Sequence, residues 1–293
     1  MNNVNPCSSA ILFVNVLKKN ASQMAQIIKD ELEKRKINVT IHSFEGKSTG
    51  LPQGKWDVAF SLGGDGTVLY AARSLAPLGV RILPINLGTF GFIAEVDKDE
   101  WLDVFNRWEK GEIQPAQRCM FNISVERNNK IIMENICLND AVVSYTGIAK
   151  IIKLDVKIDS DTVLGSYKCD GLIIATPTGS TAYSMAAGGP ILDPEMEALI
   201  LNPICPFALS NRPLVLPANQ TLMISVMQEQ RSGVLLTIDG QDTFPLECLD
   251  KIYIKKAPYN AQLIFNGRYA YYSALRNKLF WSPSLMEGEH NET

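Results

Sequence analysis

Histidine is almost missing from this chain: its 293 residues include two, His42 in the strand-like VTIHSF and His290 in the polar tail EGEHNET. Mechanisms built on a histidine base have little to draw on, so proton transfer falls to carboxylates. Paired cysteines are missing as well. Cys7, Cys119, Cys137, Cys169, Cys205 and Cys248 are scattered, with no CxxC pair and no neighbouring histidines. That excludes a disulfide framework and a zinc site and leaves buried, reduced thiols. Neither sign of charge dominates: the formal net charge is -3, the pI is near 5.6, and no Lys/Arg-rich run occurs. Nucleic acid and anionic membrane surfaces are therefore not expected partners. The N-terminus MNNVNPCSSAILFVNVLKKN lacks a basic leader, and its apolar part is too short for a membrane span. It reads as a first buried strand, with a cytoplasmic location expected. Repeats, low-complexity tracts and long linkers are absent, and so are the two familiar phosphate loops, GxxxxGK[ST] and GxGxxG.

What is present is a chain with 46% hydrophobic residues, enough for a large core and about two domains. Up to about residue 115 the pattern alternates between strands and helices. It runs SAILFVNVL, a helix from about Ser22 to Lys36, NVTIHSF, WDVAFSL, the helix TVLYAARSLAPLG, VRILPINLG and the helix DEWLDVFNRWEKG. This predicts a parallel α/β sheet over residues 1–117. From there to residue 264 apolar and polar residues alternate between turn clusters, as in FNISVERNNKIIMENICLNDAVVSY, which predicts a β-rich domain interrupted by one helix near Thr181. The closing stretch, 265–293, has aromatic and basic content without strand alternation, and is expected to return toward the first domain.

Two turns carry chemistry. In SLGGDGTVLYAAR, residues 61–73, a strand gives way to a helix through Gly63, Gly64, Asp65, Gly66 and Thr67. Bare backbone amides at a helix start suit a phosphate. An aspartate there would repel that phosphate unless a cation intervenes or the acid accepts a proton from an incoming hydroxyl, and this points to phosphoryl transfer. The alternative is that Asp65 or Thr67 merely caps the helix. In DGLIIATPTGSTAYSMAAGGP, residues 170–190, hydroxyls and amides again crowd one helix start, with Ser180 or Thr181 as a simple cap the plainer reading.

GGDGT at 63–67, LND at 138–140, DGLIIATPTGSTAY at 170–183, AGGPI at 187–191, PICP at 203–206, SNRPLVLP at 210–217 and DGQ at 239–241 together resemble the motif set of NAD kinases. GGDGT alone is shared with lipid kinases and phosphofructokinases, whereas the TPTGSTAY block is far more specific. The resemblance implies a kinase that phosphorylates the 2'-hydroxyl of the adenosine ribose of NAD, with ATP, or in some members polyphosphate, as donor and Mg2+ beside it. It implies a Rossmann-like, phosphofructokinase-like α/β domain and a β-sandwich-like domain with the dinucleotide between them. Homodimers or homotetramers are common in the family.

Carried over by position, Asp65 matches the acid that orients or deprotonates the acceptor hydroxyl, within the phosphate loop of Gly63, Gly64, Gly66 and Thr67. Asn139 and Asp140 match the pair that holds the adenosine end, although LND alone reads as a strand-end turn. Thr178, Ser180, Thr181, Ala182 and Tyr183 match the substrate-contacting block, with Tyr183 as a stacking face or else a core aromatic. Asp170 is expected near the nicotinamide carboxamide, with Lys168 and Cys169 beside it, and Phe92 on the adenine side. Asp239 reads as the first residue of an Asp-Gly hairpin turn, and no side chains are read as resident metal ligands. Ala175 and Ala186 stand where serine is usual. Phe207 replaces the histidine of PICPH, so any phosphate contact of that histidine would pass to Lys168, Arg212 or Arg268. A lipid kinase sharing only the glycine turn, and a silent dinucleotide sensor, are the competing readings.

Overall fold

The structure, a computed structural model, describes residues 7–46, 50–88, 91–147, 151–159, 162–230, 232–267 and 269–279. The first half builds β1 (Ser9–Asn15), α1 (Ala21–Lys34), β2 (Asn38–Phe44), β3 (Val58–Gly63), α2 (Asp65–Leu75), β4 (Arg81–Asn86), β5 (Val96–Asp97), α3 (Trp101–Glu109) and β6 (Ala116–Arg118). Strands β1, β3 and β4 are apolar and buried almost throughout, as expected for parallel strands covered on both faces. Helix α1 presents Met24, Ala25, Ile28 and Leu32 to this sheet at helical spacing. The helix expected through Gly79 stops at Leu75 and tightens into a 3-10 turn over Ala76–Leu78, where Pro77 cannot continue the α-helical ladder.

The second half contains β7 (Phe121–Arg127), β8 (Lys130–Cys137), β9 (Asp140–Tyr145), β10 (Ile152–Ile158), β11 (Thr162–Cys169), β12 (Gly171–Ala175), α4 (Tyr183–Ala186), β13 (Ala198–Ile204), β14 (Leu214–Pro217), β15 (Leu222–Val226), β16 (Val234–Ile238), β17 (Asp242–Leu246) and β18 (Lys251–Lys256). They form two antiparallel sheets, ordered β11-β10-β15-β18-β7-β8 and β14-β13-β12-β9-β16-β17. Alternate residues such as Leu154 and Val156 from one sheet and Leu172 and Ile174 from the other share one core. The helix expected near Thr181 is a 3-10 turn over Thr178–Thr181 followed by the four residues of α4, since Gly188 and Gly189 end it.

Of the two closing elements, the strand joins the first sheet and the helix bonds to residues 192 and 193. Strand β19 (Ala261–Leu263), expected with the β-rich half, pairs parallel with β4 and antiparallel with β6. Helix α5 (Tyr269–Leu279) follows, a helix that the missing strand alternation did not reveal. The first sheet thus runs β2-β1-β3-β4-β19-β6, with β5 beside β4. Chain order reverses between β1 and β3, so a crevice opens beyond their carboxyl ends, where open α/β sheets bind ligands. Among the described residues no helix is long and apolar enough to cross a membrane.

Candidate active site

At that crevice lies a cavity of about 430 Å3, lined among others by Asn15, Gly64, Asp65, Thr67, Gln241 and Lys278. Glycine is required at its floor: a Cβ on Gly63 would come within 2.9 Å of Thr67 Cβ. At Gly64 a Cβ would meet nothing, so the backbone faces open space. The capping alternative does not hold, because Gly64 is the cap residue and α2 has no side-chain cap bond. The Asp65 carboxylate instead reaches across the cavity wall and accepts hydrogen bonds from the backbone N–H groups of Phe92 (2.9 Å), Ile93 (3.2 Å) and Ala94 (2.9 Å). A Cβ on Gly91 would lie 2.5 Å from Asp65 Cγ, so glycine there admits the carboxylate. Thr67 Oγ1 is buried without a hydrogen-bond partner, a donor available at the helix start.

A second cavity of about 380 Å3 opens on the adjoining sheet, lined by Asn139, Asp140, Ala182, Tyr183, Asp239 and others. The segment 178–181 sits directly on LND: a Cβ on Gly179 would be 2.5 Å from the carbonyl carbon of Asn139, and Thr176 Oγ1 donates to Leu138 O. Asn139 Oδ1 and Thr178 Oγ1 are buried and unpartnered. Tyr183 is 48% exposed, which removes the core-aromatic reading and leaves a ring face for stacking. Burial, with the neighbouring Asp239 charge, pushes the Asp140 carboxyl up to about 7.

Asp239 joins the two cavities, a role that its reading as a hairpin residue did not include. It does open the β16–β17 turn, with φ of 50° followed by 64° at Gly240. Its fully buried carboxylate also accepts the N–H groups of Leu138 (3.0 Å), Asn139 (2.7 Å) and Asp140 (3.2 Å), and pairs at 3.6 Å with Arg73 of α2. Burial pushes this acid up to about 6 against those amides and Arg73. From the same turn Gln241 Nε2 donates to Gly66 O at 2.7 Å, while Arg73 donates to Gln241 Oε1 at 2.8 Å and to Asp242. The helix that begins at Asp65 is therefore locked to the turn that holds LND.

Other expected positions lie elsewhere or are already engaged. Ser180 Oγ accepts Leu192 N–H at 3.0 Å and pins the 180–192 loop, and Thr181 Oγ1 donates to Thr178 O. Phe92 enters the site through its amide and through its ring, over which Lys278 Nζ lies at 4.0 Å. Lys168 and Asp170 sit at the opposite end of β12: Ala175 faces Asp140 whereas Gly171 faces Ser144. That is a strand length, roughly 17 Å, from LND, but Ser144 also lines the second cavity, so Asp170 stands next to its far end. Arg212 donates into its own loop, Phe207 is 73% exposed, and Arg268 and His290 fall outside the described residues. His42 is buried against Tyr70 OH at 2.9 Å, and burial lowers its pKa, so it stays neutral inside the first domain. A further cavity of about 430 Å3, beside Arg118, Phe265 and Tyr271, contains none of the expected residues. Sequence reasoning also passed over Lys278, Gln241 and Gly91.

Comparison with known proteins gives a consistent result. Residues 51–113 match the model of the ATP-NAD kinase N-terminal domain, and residues 138–265 match that of the ATP-NAD kinase C-terminal domain. The NAD kinase of Treponema denticola is 40% identical over 275 residues, covering 94% of this chain and 96% of its own. That of Geobacter sulfurreducens is 40% identical over 225 residues, covering 77% and 78%. Among solved structures, yeast NADH kinase complexed with NADH superposes with a TM-score of 0.81 at 23% identity, covering 96% of this chain and 89% of that one. An Archaeoglobus fulgidus NAD kinase in complex with ATP superposes at 0.68 and 24% identity, covering 92% and 98%. With the glycine turn, the LND pair and the TPTGSTAY block all inside matched segments, the chain belongs to the ATP-NAD kinase family, which phosphorylates NAD to NADP.

Proposed function

We propose that this chain transfers the terminal phosphoryl of ATP to the 2'-hydroxyl of the adenosine ribose of NAD, with Asp65 acting on that hydroxyl. The observation that carries the proposal is the joint between the cavities: Gln241 and the Arg73–Asp239 pair hold the Asp65 turn against the LND turn. An adenosine held by Asn139, Asp140, Ala182 and Tyr183 would then present its ribose toward Asp65. Ribose O2' attacks the γ-phosphorus, the bond to the bridging oxygen breaks with its electron pair leaving on ADP, and the hydroxyl proton passes to Asp65. A carboxylate has about four acceptor positions, and three amides take most of them, so the remaining lone pair orients the hydroxyl more than it pulls its proton. That suits a loose transition state in which the proton leaves late. Gly64, Gly66 and Thr67 supply amides and a hydroxyl to the donor phosphates at the start of α2.

Among the described residues no group of three or more potential metal ligands occurs, and Asp65 is the acid lining the first cavity. This donor set fits Mg2+ carried in on ATP, because Mg2+ uses one or two carboxylates together with phosphates and water. Held mainly by the ATP phosphates and water, with the Asp65 carboxylate beside its water shell, the ion would neutralise charge on the transferred group. Asp170 is assigned to the nicotinamide half on the motif match, and Lys168 for standing two residues before it. We also place the enzyme in the cytoplasm, consistent with six free cysteines, and read it as a homodimer or homotetramer, consistent with the exposed Phe207 and Leu209.

The test mixes purified protein with NAD, ATP and Mg2+ and detects NADP with an NADP-specific dehydrogenase. NADP formation is expected. Binding of NAD with no product would overturn the reading in favour of a dinucleotide sensor.

A further inference from the structure

Helix α5 lies outside both segments matched by the family models, which end at residues 113 and 265. Its first turns are docked firmly: Tyr271 OH donates to Leu192 O at 3.0 Å, Tyr272 OH donates to Asp193 at 2.7 Å, and Ala274 and Leu275 are buried. This docking aims the last turn at the crevice, where the Lys278 side chain lines the same cavity as Gly64, Asp65 and Gly66. The ammonium lies 4.0 Å from the Phe92 ring centroid, and Phe92 is the residue whose N–H holds Asp65 at 2.9 Å. One short segment therefore touches both a carboxylate and an ammonium contributed from distant parts of the chain.

The cavity needs such a cation. A terminal phosphoryl in transfer spreads negative charge over its three equatorial oxygens, and catalysis consists almost wholly of positioning and neutralising that charge. Among the described residues lining the cavity, the cations are Lys18 and Lys278. Lys18 stands exposed in the turn after β1, whereas Lys278 is half-buried, with burial acting against its charge and Asp65 and Glu95 favouring it. The attraction of a cation to an aromatic face is weak and directional, and a charge-assisted bond to an arriving oxyanion outweighs it.

We propose that Lys278 is a catalytic residue of the phosphoryl transfer, its ammonium donating to the oxygens of the transferred group, so that helix α5 completes the active site. The proposal rests on the kinase reading above. The full-length Lys278→Met and Lys278→Arg variants test it, with NADP formation followed while NAD and MgATP are varied and inorganic triphosphate binding measured by calorimetry. Lys278→Met is expected to lower kcat by about 100-fold or more, to weaken triphosphate binding, and to leave the KM for NAD within about twofold, since the adenosine residues lie on another sheet. Lys278→Arg keeps the charge and should recover much of the rate at an unchanged melting temperature. Wild-type kcat and wild-type triphosphate affinity in Lys278→Met would overturn the proposal. So would equal losses in both variants that track a fall in melting temperature. Failure of the kinase reading is separate, because it would appear as no NADP from the wild-type chain.

Discussion

Replacing Gly91 by Ala should cripple turnover without altering any polar group of the site. An ideal Cβ at Gly91 would lie 2.5 Å from Asp65 Cγ and 2.9 Å from Oδ2, distances that real Cβ atoms do not tolerate. Either the carboxylate swings out or residues 91–94 retreat, and both break its alignment with the three amides of Phe92, Ile93 and Ala94. A hydrogen bond to a charged acceptor contributes about 1.5–3 kcal/mol. Asp65 is only partly buried, so water replaces much of what is lost, and the net destabilisation should be about 1–3 kcal/mol. The effect on chemistry is expected to be larger than that implies. Moving a catalytic group by about 1 Å costs on the order of 100-fold in rate, or about 2.7 kcal/mol of barrier. The assay is coupled NADP formation, alongside NAD affinity by titration, with Gly50→Ala as control because a Cβ there meets nothing. A Gly91→Ala enzyme within twofold of wild-type kcat would refute the idea that the amide clamp on Asp65 serves catalysis.

Gly179→Ala should behave differently, because its Cβ would meet backbone atoms of Asn139 at 2.5 and 2.8 Å, which cannot give as a side chain can. We expect a loss of about 1–3 kcal/mol in thermal or urea unfolding together with weakened NAD binding, and an undisturbed affinity would count against the second cavity as the adenosine site. Asp140 makes stability depend on pH. Its carboxyl is raised from 3.8 to about 7 by burial and by Asp239, so the folded state binds this proton more tightly than the unfolded one. This contribution is full below about pH 4 and is lost as pH rises through 7. Asp140→Asn should flatten that part of the urea-unfolding profile, and identical slopes in the two proteins would contradict the assignment. Asp239→Asn keeps a residue that tolerates the left-handed turn but removes one of the two carboxylates paired with Arg73, Asp242 remaining, and weakens the acceptor of three amides, which should cost about 1–3 kcal/mol. A loss below 1 kcal/mol by denaturation would show that the bridge between the two turns is not needed.

The α/β half was largely legible because buried parallel strands and amphipathic helices leave strong periodic signals. NVTIHSF predicted β2 residue for residue. The two glycine-rich turns were legible for a different reason: close backbone approach leaves glycine as its trace, at Gly63 and Gly179 alike. Helix α5 escaped notice because its buried face, among the described residues, is Tyr271, Ala274 and Leu275 amid aromatic and basic neighbours, although the i, i+3, i+4 spacing was there to be found. Strand β19 was hidden because three residues carry no periodicity of their own and join β4 and β6 only through tertiary pairing. The clamps on Asp65 and Asp239 were invisible for a further reason, since the donors are backbone amides and any residue type supplies them. Thr67, Asn139 and Thr178 could be read as ligand contacts, but only coordinates reveal that their oxygens are buried and unpartnered.

The measurement that bears most directly on the account is single-turnover NADP formation by Asp65→Asn beside its equilibrium affinity for NAD. The account predicts a rate lowered about 100- to 10,000-fold with NAD affinity within about twofold of wild type, because the dinucleotide is held from the opposite sheet. A rate equal to that of the wild-type enzyme would contradict it.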